Sequence, residues 1–179
     1  MRRIASGDIE AFECLVDEHK TRVVGTVAKM LGDSLEAEDI AQEVFVRVWR
    51  SAKRYRPQAK FTTWLMTITR NLVFNELRRR RRKPSEPLDG GEETPPRQFA
   101  DAGSHSPADE ALQAELEEVV QQAIAALPES QRLALVLRRY EEMPYEEIAA
   151  VLKTSVSSVK SLLFRARSEL KQSLRRYLD

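Results

Sequence analysis

A single cysteine, Cys14, in 179 residues leaves no partner for an intrachain disulfide, which excludes a stapled extracellular fold. Two histidines, His19 and His105, cannot assemble a conventional zinc centre or a Cys–His nucleophile with one thiol. Glycine is scarce, at six residues, and no Gly-rich loop able to cradle phosphates is present. No apolar run approaches the roughly twenty residues of a membrane span, and the chain opens without the apolar stretch of a secretion signal. The expectation is a soluble, cytoplasmic protein with no direct membrane insertion, no cofactor and no catalytic cluster of nucleophile, base and orienter.

Charge is plentiful, at 32% of residues, and the net value of +1 hides how it is distributed. Residues 1–49 hold 6 basic and 10 acidic side chains, and residues 50–83 hold 12 and 1. Residues 84–120 then hold 1 and 10, and residues 121–179 hold 10 and 7. Such segregation points to a polyanion-binding surface beside an acidic connector.

Apolar spacing is helical throughout. Phe12, Leu15, Val16, Val23, Val27 and Leu31 recur at intervals of three, four and seven. Asp8 is placed to cap that stretch, and Gly32-Asp33-Ser34 to end it and start the next. A second helix carries Leu35, Ile40, Val44, Phe45, Val48 and Trp49 and fades at Tyr55-Arg56-Pro57. A third runs from about Thr62 through Trp64, Leu65, Ile68, Leu72, Phe74 and Leu77 into the basic run Arg78–Lys83. Residues 84–108 contain five prolines, a Gly90-Gly91 pair and several acids, a composition that cannot bury a core and reads as a flexible linker. Helical periodicity resumes near Asp109 and is interrupted at Pro128. The expected architecture is all-α: a domain over 1–83, a linker over 84–108 and a second domain over 109–179.

Residues 145–167 have the spacing of a helix-turn-helix. Ile148, Val151 and Leu152 form the inner face of its first helix, and Val159, Leu163, Ala166 and Leu170 that of its second. Ser155 is placed as the N-cap of the second helix. Its outer face carries Ser157, Ser161 and Arg165, flanked by Ser158 and Lys160, short polar groups backed by cations that suit a major groove. An ordinary helical hairpin with a solvated face is the blander alternative.

Residues 47–83 interleave bases with aromatics, the combination that follows a phosphate backbone and stacks on exposed bases of a single strand. Trp49 and Trp64 fall on apolar stripes and are expected to be mostly core, which leaves Tyr55 and Phe61 freer. Six consecutive bases over Arg78–Lys83 exceed what helix capping needs, so phosphate contact is expected there. Glu36, Glu38, Asp39, Gln42, Glu43 and Arg47 decorate the second helix. Spacing alone gives a solvated face with an i,i+4 pair between Glu43 and Arg47. Cys14, amid Phe12, Leu15 and Val16, is expected to be a buried structural thiol.

The stretches Asp39–Trp49 and Phe61–Leu72 resemble the second conserved region of bacterial RNA polymerase sigma factors. Leu127–Arg132 and the helix-turn-helix ending Phe164–Leu170 resemble the fourth. With only a short linker between them, the order is that of the extracytoplasmic-function subgroup. The resemblance implies that Asp39, Gln42, Glu43 and Phe45 dock on the β′ clamp helices of core RNA polymerase, and that the C-terminal domain meets the β flap. It places −10 recognition and single-strand capture at Tyr55, Lys60, Phe61, Thr62, Trp64, Arg70, Asn71, Asn75, Arg78 and Arg79. It places −35 contacts at Ser155, Ser157, Ser158, Lys160, Ser161, Leu162 and Arg165, and it implies regulation by an anti-sigma factor that occludes both domains. Lys153 stands where the family often has Gly, so the turn must either avoid positive φ or accept strain. Leu162 stands where the family often has Arg, at the edge of the core stripe, where it either touches a thymine methyl or extends the core, the second being the narrow preference. Two other classes fit less of the chain: a free-standing regulator, which would need a ligand pocket in the first half, and a DNA-independent adaptor.

Overall fold

The computed structural model describes residues 1–32, 34–82 and 107–177. Every regular element among them is helical. The first block contains α1 (Arg2–Ala5), α2 (Ile9–Leu31), α3 (Ser34–Ser51), a 3₁₀ turn (Ala52–Arg54) and α4 (Phe61–Arg82). The second contains α5 (Pro107–Ala126), α6 (Glu129–Arg139), α7 (Tyr145–Leu152), α8 (Val156–Ser173) and a closing 3₁₀ turn (Arg175–Tyr177).

Local chemistry sets the ends. Asp8 caps α2 by accepting the Ala11 N–H at 2.9 Å. That bond and the Arg3 guanidinium at 2.6 Å hold the Asp8 carboxyl below the usual range. Gly32 stops α2 in the left-handed region at φ +75°, and its N–H reaches the Ala28 carbonyl at 2.8 Å. Asp33, assigned with Gly32 to that stop, lies outside the described residues. Residues 84–106, most of the proposed linker, lie outside them too. Residues 107–108, also assigned to the linker, instead form the first positions of α5. Proline is well tolerated there, because the first helical N–H has no intrahelical partner in any case.

Val23, Val27 and Met30 of α2 pack with Val44 and Val48 of α3 and with Leu65, Met66 and Val73 of α4. Leu133 and Leu137 of α6, Ile148 and Val151 of α7, and Val159 and Leu163 of α8 form the second cluster. The two clusters merge into one core, because α4 packs on α7 and α2 on α5 and α6. Each fully buried aliphatic side chain contributes about 1.5–3 kcal/mol relative to exposure. The aliphatic interior therefore dominates the packing of the blocks.

Two sequence expectations need correction. Cys14 is exposed, not buried. Of its four neighbours one turn away on the helix, Glu10, Asp17 and Glu18 are exposed and Ala11 is half-buried, so it lies on the wet side of α2 despite its apolar neighbours in sequence. Leu35, assigned to the apolar stripe of α3, is 74% exposed. It sits in the first turn of α3, ahead of the buried series Ala37, Ala41, Val44, Phe45 and Val48.

Candidate nucleic-acid interface

The helix-turn-helix is formed by α7 and α8. Ser155 accepts the Ser158 N–H at 3.1 Å, the cap expected for α8. Lys153, the C-cap of α7, adopts φ +56°, ψ +49°, so the turn accepts positive φ in a residue with a Cβ. The geometry of a Gly turn is kept without Gly. Val159, Leu163 and Ala166 are buried and Leu170 half-buried. Leu162 is half-buried and packs against the core edge, as expected from its position.

On the outer face Ser155, Ser157, Lys160, Ser161 and Arg165 are exposed and Ser158 is half-buried. Ser157, Ser158, Ser161, Leu162 and Arg165 line an open groove with Lys153, Thr154, Leu152 and Ser130. Among the described residues neither Lys160 nor Arg165 forms an ion pair. Both charges are thus free to meet phosphate or a base edge.

The aromatic end of the first block is equally concrete. Tyr55 packs edge-on to Trp64 with ring centroids 4.8 Å apart, and Phe61 stands 6.2 Å from Tyr55 and 5.7 Å from Trp64. His19 of α2 backs Phe61 at 5.1 Å. His19 is buried, and burial holds its pKa below the usual 6.5, opposed only in part by Glu18 at 3.8 Å. The three rings are half-buried and support one another, so each presents part of a face. Trp49 is 37% exposed and sits edge-on to Phe12 at 5.0 Å, so core packing takes most of its ring.

Lys60 borders this cluster, and Thr62 is half-buried beside it. Further along α4 come Arg70 and Asn71, joined by a 2.9 Å hydrogen bond from the guanidinium. Arg70 lies 4.9 Å over the Phe74 ring, and its Nε has no hydrogen-bond partner among the described residues. Asn75 and Arg78 are exposed. From Phe61 to Arg79 the face extends about 27 Å, at 1.5 Å per residue.

The basic run does not stand free as a whole. Arg79 donates to Glu76 at 2.6 and 2.8 Å and to Glu36 at 3.2 Å, and Glu76 raises its pKa further. Arg80 pairs with Glu36 and donates to the Leu31 carbonyl at 3.0 Å, and Arg81 pairs with Glu129 of the second block. Arg78 and Arg82 form no ion pair among the described residues, and Lys83 lies outside them. The expectation of six cations on phosphate thus shrinks, because acids on α3, α4 and α6 already hold three of them.

On α3, Asp39 and Gln42 are exposed and Glu43 is half-buried, with the Glu43–Arg47 pair at 2.9 Å. Phe45 faces inward at 6% exposure, so it supports this surface from below rather than presenting itself on it.

Sequence reasoning missed the polar seam between the blocks. Glu147 of α7 pairs with Lys60 Nζ at 2.7 Å and accepts a hydrogen bond from the buried Thr63 hydroxyl at 3.0 Å. Glu141 pairs with Arg22 at 2.7 Å and accepts from the buried Thr26 hydroxyl at 3.1 Å. Arg132 donates to the Met30 carbonyl at 2.6 Å, and its burial lowers its pKa. The only local signal was two β-branched hydroxyls, Thr26 and Thr63, on otherwise apolar stripes.

A basic, aromatic helical bundle is thus paired with a C-terminal helix-turn-helix, a combination suited to binding DNA. Residues 15–83 match the family model of Sigma-70 region 2, and residues 117–170 match that of Sigma-70 region 4. The chain is 35% identical over 180 residues to the RNA polymerase sigma-H factor of Pseudomonas aeruginosa, covering 97% of this chain and 91% of that one. It is 34% identical to the extracytoplasmic-function sigma factor SigW of Bacillus subtilis, covering 98% and 95%. The fold is shared with the sigma factor RpoE of Bartonella quintana, solved in complex with the anti-sigma factor NepR: TM-score 0.71, 22% identity, 93% and 98% covered. The chain belongs to the extracytoplasmic-function family of RNA polymerase sigma factors. It is a promoter-specificity factor that works with core RNA polymerase on promoter DNA.

Proposed function

We propose that residues 1–83 bind core polymerase, read the −10 element and capture the melted strand, while residues 109–179 read the −35 element. The observation that carries this division is the contrast in chemistry between the two faces. The Tyr55–Phe61–Trp64 cluster beside Lys60 suits unstacked bases, and the α8 face with Ser157, Ser161 and Arg165 suits an intact major groove.

A base taken from the duplex costs a few kcal/mol, and stacking on an aromatic ring returns about 1–3 kcal/mol per base. Melting is therefore near balance on this face. Phosphate contacts from Lys60, Arg70 and Arg78 tip it toward the open strand. Thr62, Asn71 and Asn75 supply neutral donors and acceptors along the same helix, and Arg79 adds a phosphate contact if its pairs to Glu76 and Glu36 exchange for DNA.

Asp39, Gln42 and Glu43 form the polymerase-docking surface on the β′ clamp helices, with Phe45 holding α3 in place beneath it. The second domain meets the β flap. A linker ahead of α5 lets each domain bind weakly alone while polymerase fixes their spacing. The chain takes no catalytic part and no cofactor in this reading. It acts in the cytoplasm, where polymerase is, and an anti-sigma factor covers both domains when transcription is off.

The test is transcription by core polymerase from a selected DNA library. Wild-type protein is expected to enrich two spaced motifs. Arg165→Ala is expected to relax −35 discrimination by about 1–3 kcal/mol with polymerase binding intact. Asp39→Ala with Gln42→Ala is expected to weaken polymerase binding with the fold intact. A single shared defect in both sets overturns the division.

A further inference from the structure

His19 is an unusual residue for its place. It opens the buried stripe of α2 that continues through Val23, Val27 and Met30, where an aliphatic side chain would have no polar atoms to desolvate. Glu18 Oε1 stands 3.8 Å from its Nε2, beyond hydrogen-bond reach. The ring packs instead on Phe61, with 5.1 Å between centroids and 42° between planes. Phe61 is the first residue of α4 and follows the irregular residues 55–60. Helix holds its backbone on one side only, so its ring takes its angle from what packs on it. His19, by contrast, sits in the middle of a helix of 23 residues.

We infer that His19 is a positioning residue for strand capture: its ring braces Phe61 from behind, against Tyr55 and Trp64, so that the outer side of the cluster is held ready for a base. The inference rests on the strand-capture reading of residues 55–64. Phe61 stands 6.2 Å from Tyr55 and 5.7 Å from Trp64, and Tyr55 stands 4.8 Å from Trp64. The four rings thus touch in series, and His19 is the one of the four that α2 supplies and the one that is buried. A stacking platform gains from such support, because a base then meets a ring that need not be ordered at the moment of binding.

A histidine in this role makes the brace depend on pH. The charged groups acting on the ring are Glu18 and Arg22 of α2, in opposite senses. Arg22 is itself held by Glu141 at 2.7 Å, and Lys60, next to Phe61, by Glu147 of α7 at 2.7 Å. Phe61 faces the ring without charge, and α3 meets α2 through its buried apolar stripe of Ala41, Val44, Phe45 and Val48. Burial is the largest influence and holds the pKa of His19 below the usual 6.5. The ring is therefore neutral, and the brace complete, at neutral pH. As pH falls through the lowered value the imidazolium is drawn toward water, and Phe61 loses its support.

The experiment measures, by anisotropy, binding of a rhodamine-labelled, mixed-sequence single-stranded oligonucleotide to holoenzyme, with core polymerase alone as the baseline. It runs from neutral pH to well below 6.5. His19→Phe keeps a ring that cannot titrate, and His19→Gln keeps a neutral side chain of similar length without a ring. At neutral pH His19→Gln is expected to weaken binding about three- to tenfold, part of the worth of one base stack, and His19→Phe to match wild type. As pH falls, wild type is expected to descend toward the His19→Gln level while the two variants share a shallower slope. Polymerase affinity, and binding of the same sequence as duplex, are expected to be equal in all three. Wild-type affinity in His19→Gln, with Phe61→Ala still weakening binding, overturns the brace and leaves the strand reading intact. An equal loss in His19→Phe and His19→Gln, or a loss shared with duplex binding, marks a general packing defect and overturns the brace as well. A wild-type pH slope no steeper than that of the variants overturns the pH dependence. Binding indifferent to Phe61→Ala, or no stronger than that of core polymerase alone, overturns the strand reading, and the brace falls with it.

Discussion

The faces of α4 and α8, both proposed above to meet DNA, differ in how the chain treats their cations. On α8, Lys160 and Arg165 form no ion pair among the described residues, and Ser157 and Ser161 beside them are exposed. On α4 and the residue before it, Lys60 is held by Glu147, Arg79 and Arg80 by Glu36, and Arg81 by Glu129. A duplex-reading face can stay open because the groove it reads is always there. A face for melted strand has no target until the duplex opens, and left bare it would bind any single strand through nonspecific charge.

The comparison breaks most sharply at Ile148, which is fully buried in α7, the helix that packs on both α4 and α8. Ile148→Ala is expected to cost about 2–5 kcal/mol, read as a lower denaturation midpoint. It should also disorder both faces together, because α7 packs on both the recognition helix and α4. Loss of −35 recognition with unchanged single-strand binding would show that the two faces are independent of this helix.

A smaller change sharpens the α8 side alone. Lys153 holds a left-handed conformation at φ +56°, which costs a residue with a Cβ about 1–2 kcal/mol. Lys153→Gly removes that strain but adds freedom to the unfolded chain, so a net gain of about 1 kcal/mol or less is expected in the unfolding midpoint. The single-strand affinity of the free chain should not move.

The smallest effect concerns the α4 side. His19 is buried against Phe61 with its pKa held down by burial. The unfolded chain therefore takes up the proton first as pH falls. The stability this group confers is complete above the unfolded value near 6.5 and is lost as pH falls below it, until the lower folded value is passed. Denaturation midpoints should drop as pH falls through the unfolded value near 6.5, and His19→Gln should reduce that drop.

Much of this was legible in the chain, for local reasons. Asp8 and Ser155 are caps because a side-chain oxygen reaches an N–H three residues on, a relation fixed within one turn. The inner faces of α7 and α8 followed from spacing alone, since one side of a short helix must be covered. Cys14 was misplaced because three apolar neighbours in sequence are not neighbours on a helix, where Glu10 and Glu18 flank it. Phe45 was assigned to the docking surface by family likeness, and the burial of its stripe with Val44 and Val48 puts it beneath that surface instead.

Sequence by itself determined the helices, their caps, the family and the types of side chain on each face, because these depend on contacts within a few residues or on motif order. Only the tertiary structure decided which charges are free. Glu147 lies 87 positions from Lys60 and 84 from Thr63, and no periodicity links residues that far apart. Their meeting depends on how two amphipathic bundles share a core, a choice made by the fit of whole surfaces and not by any one segment.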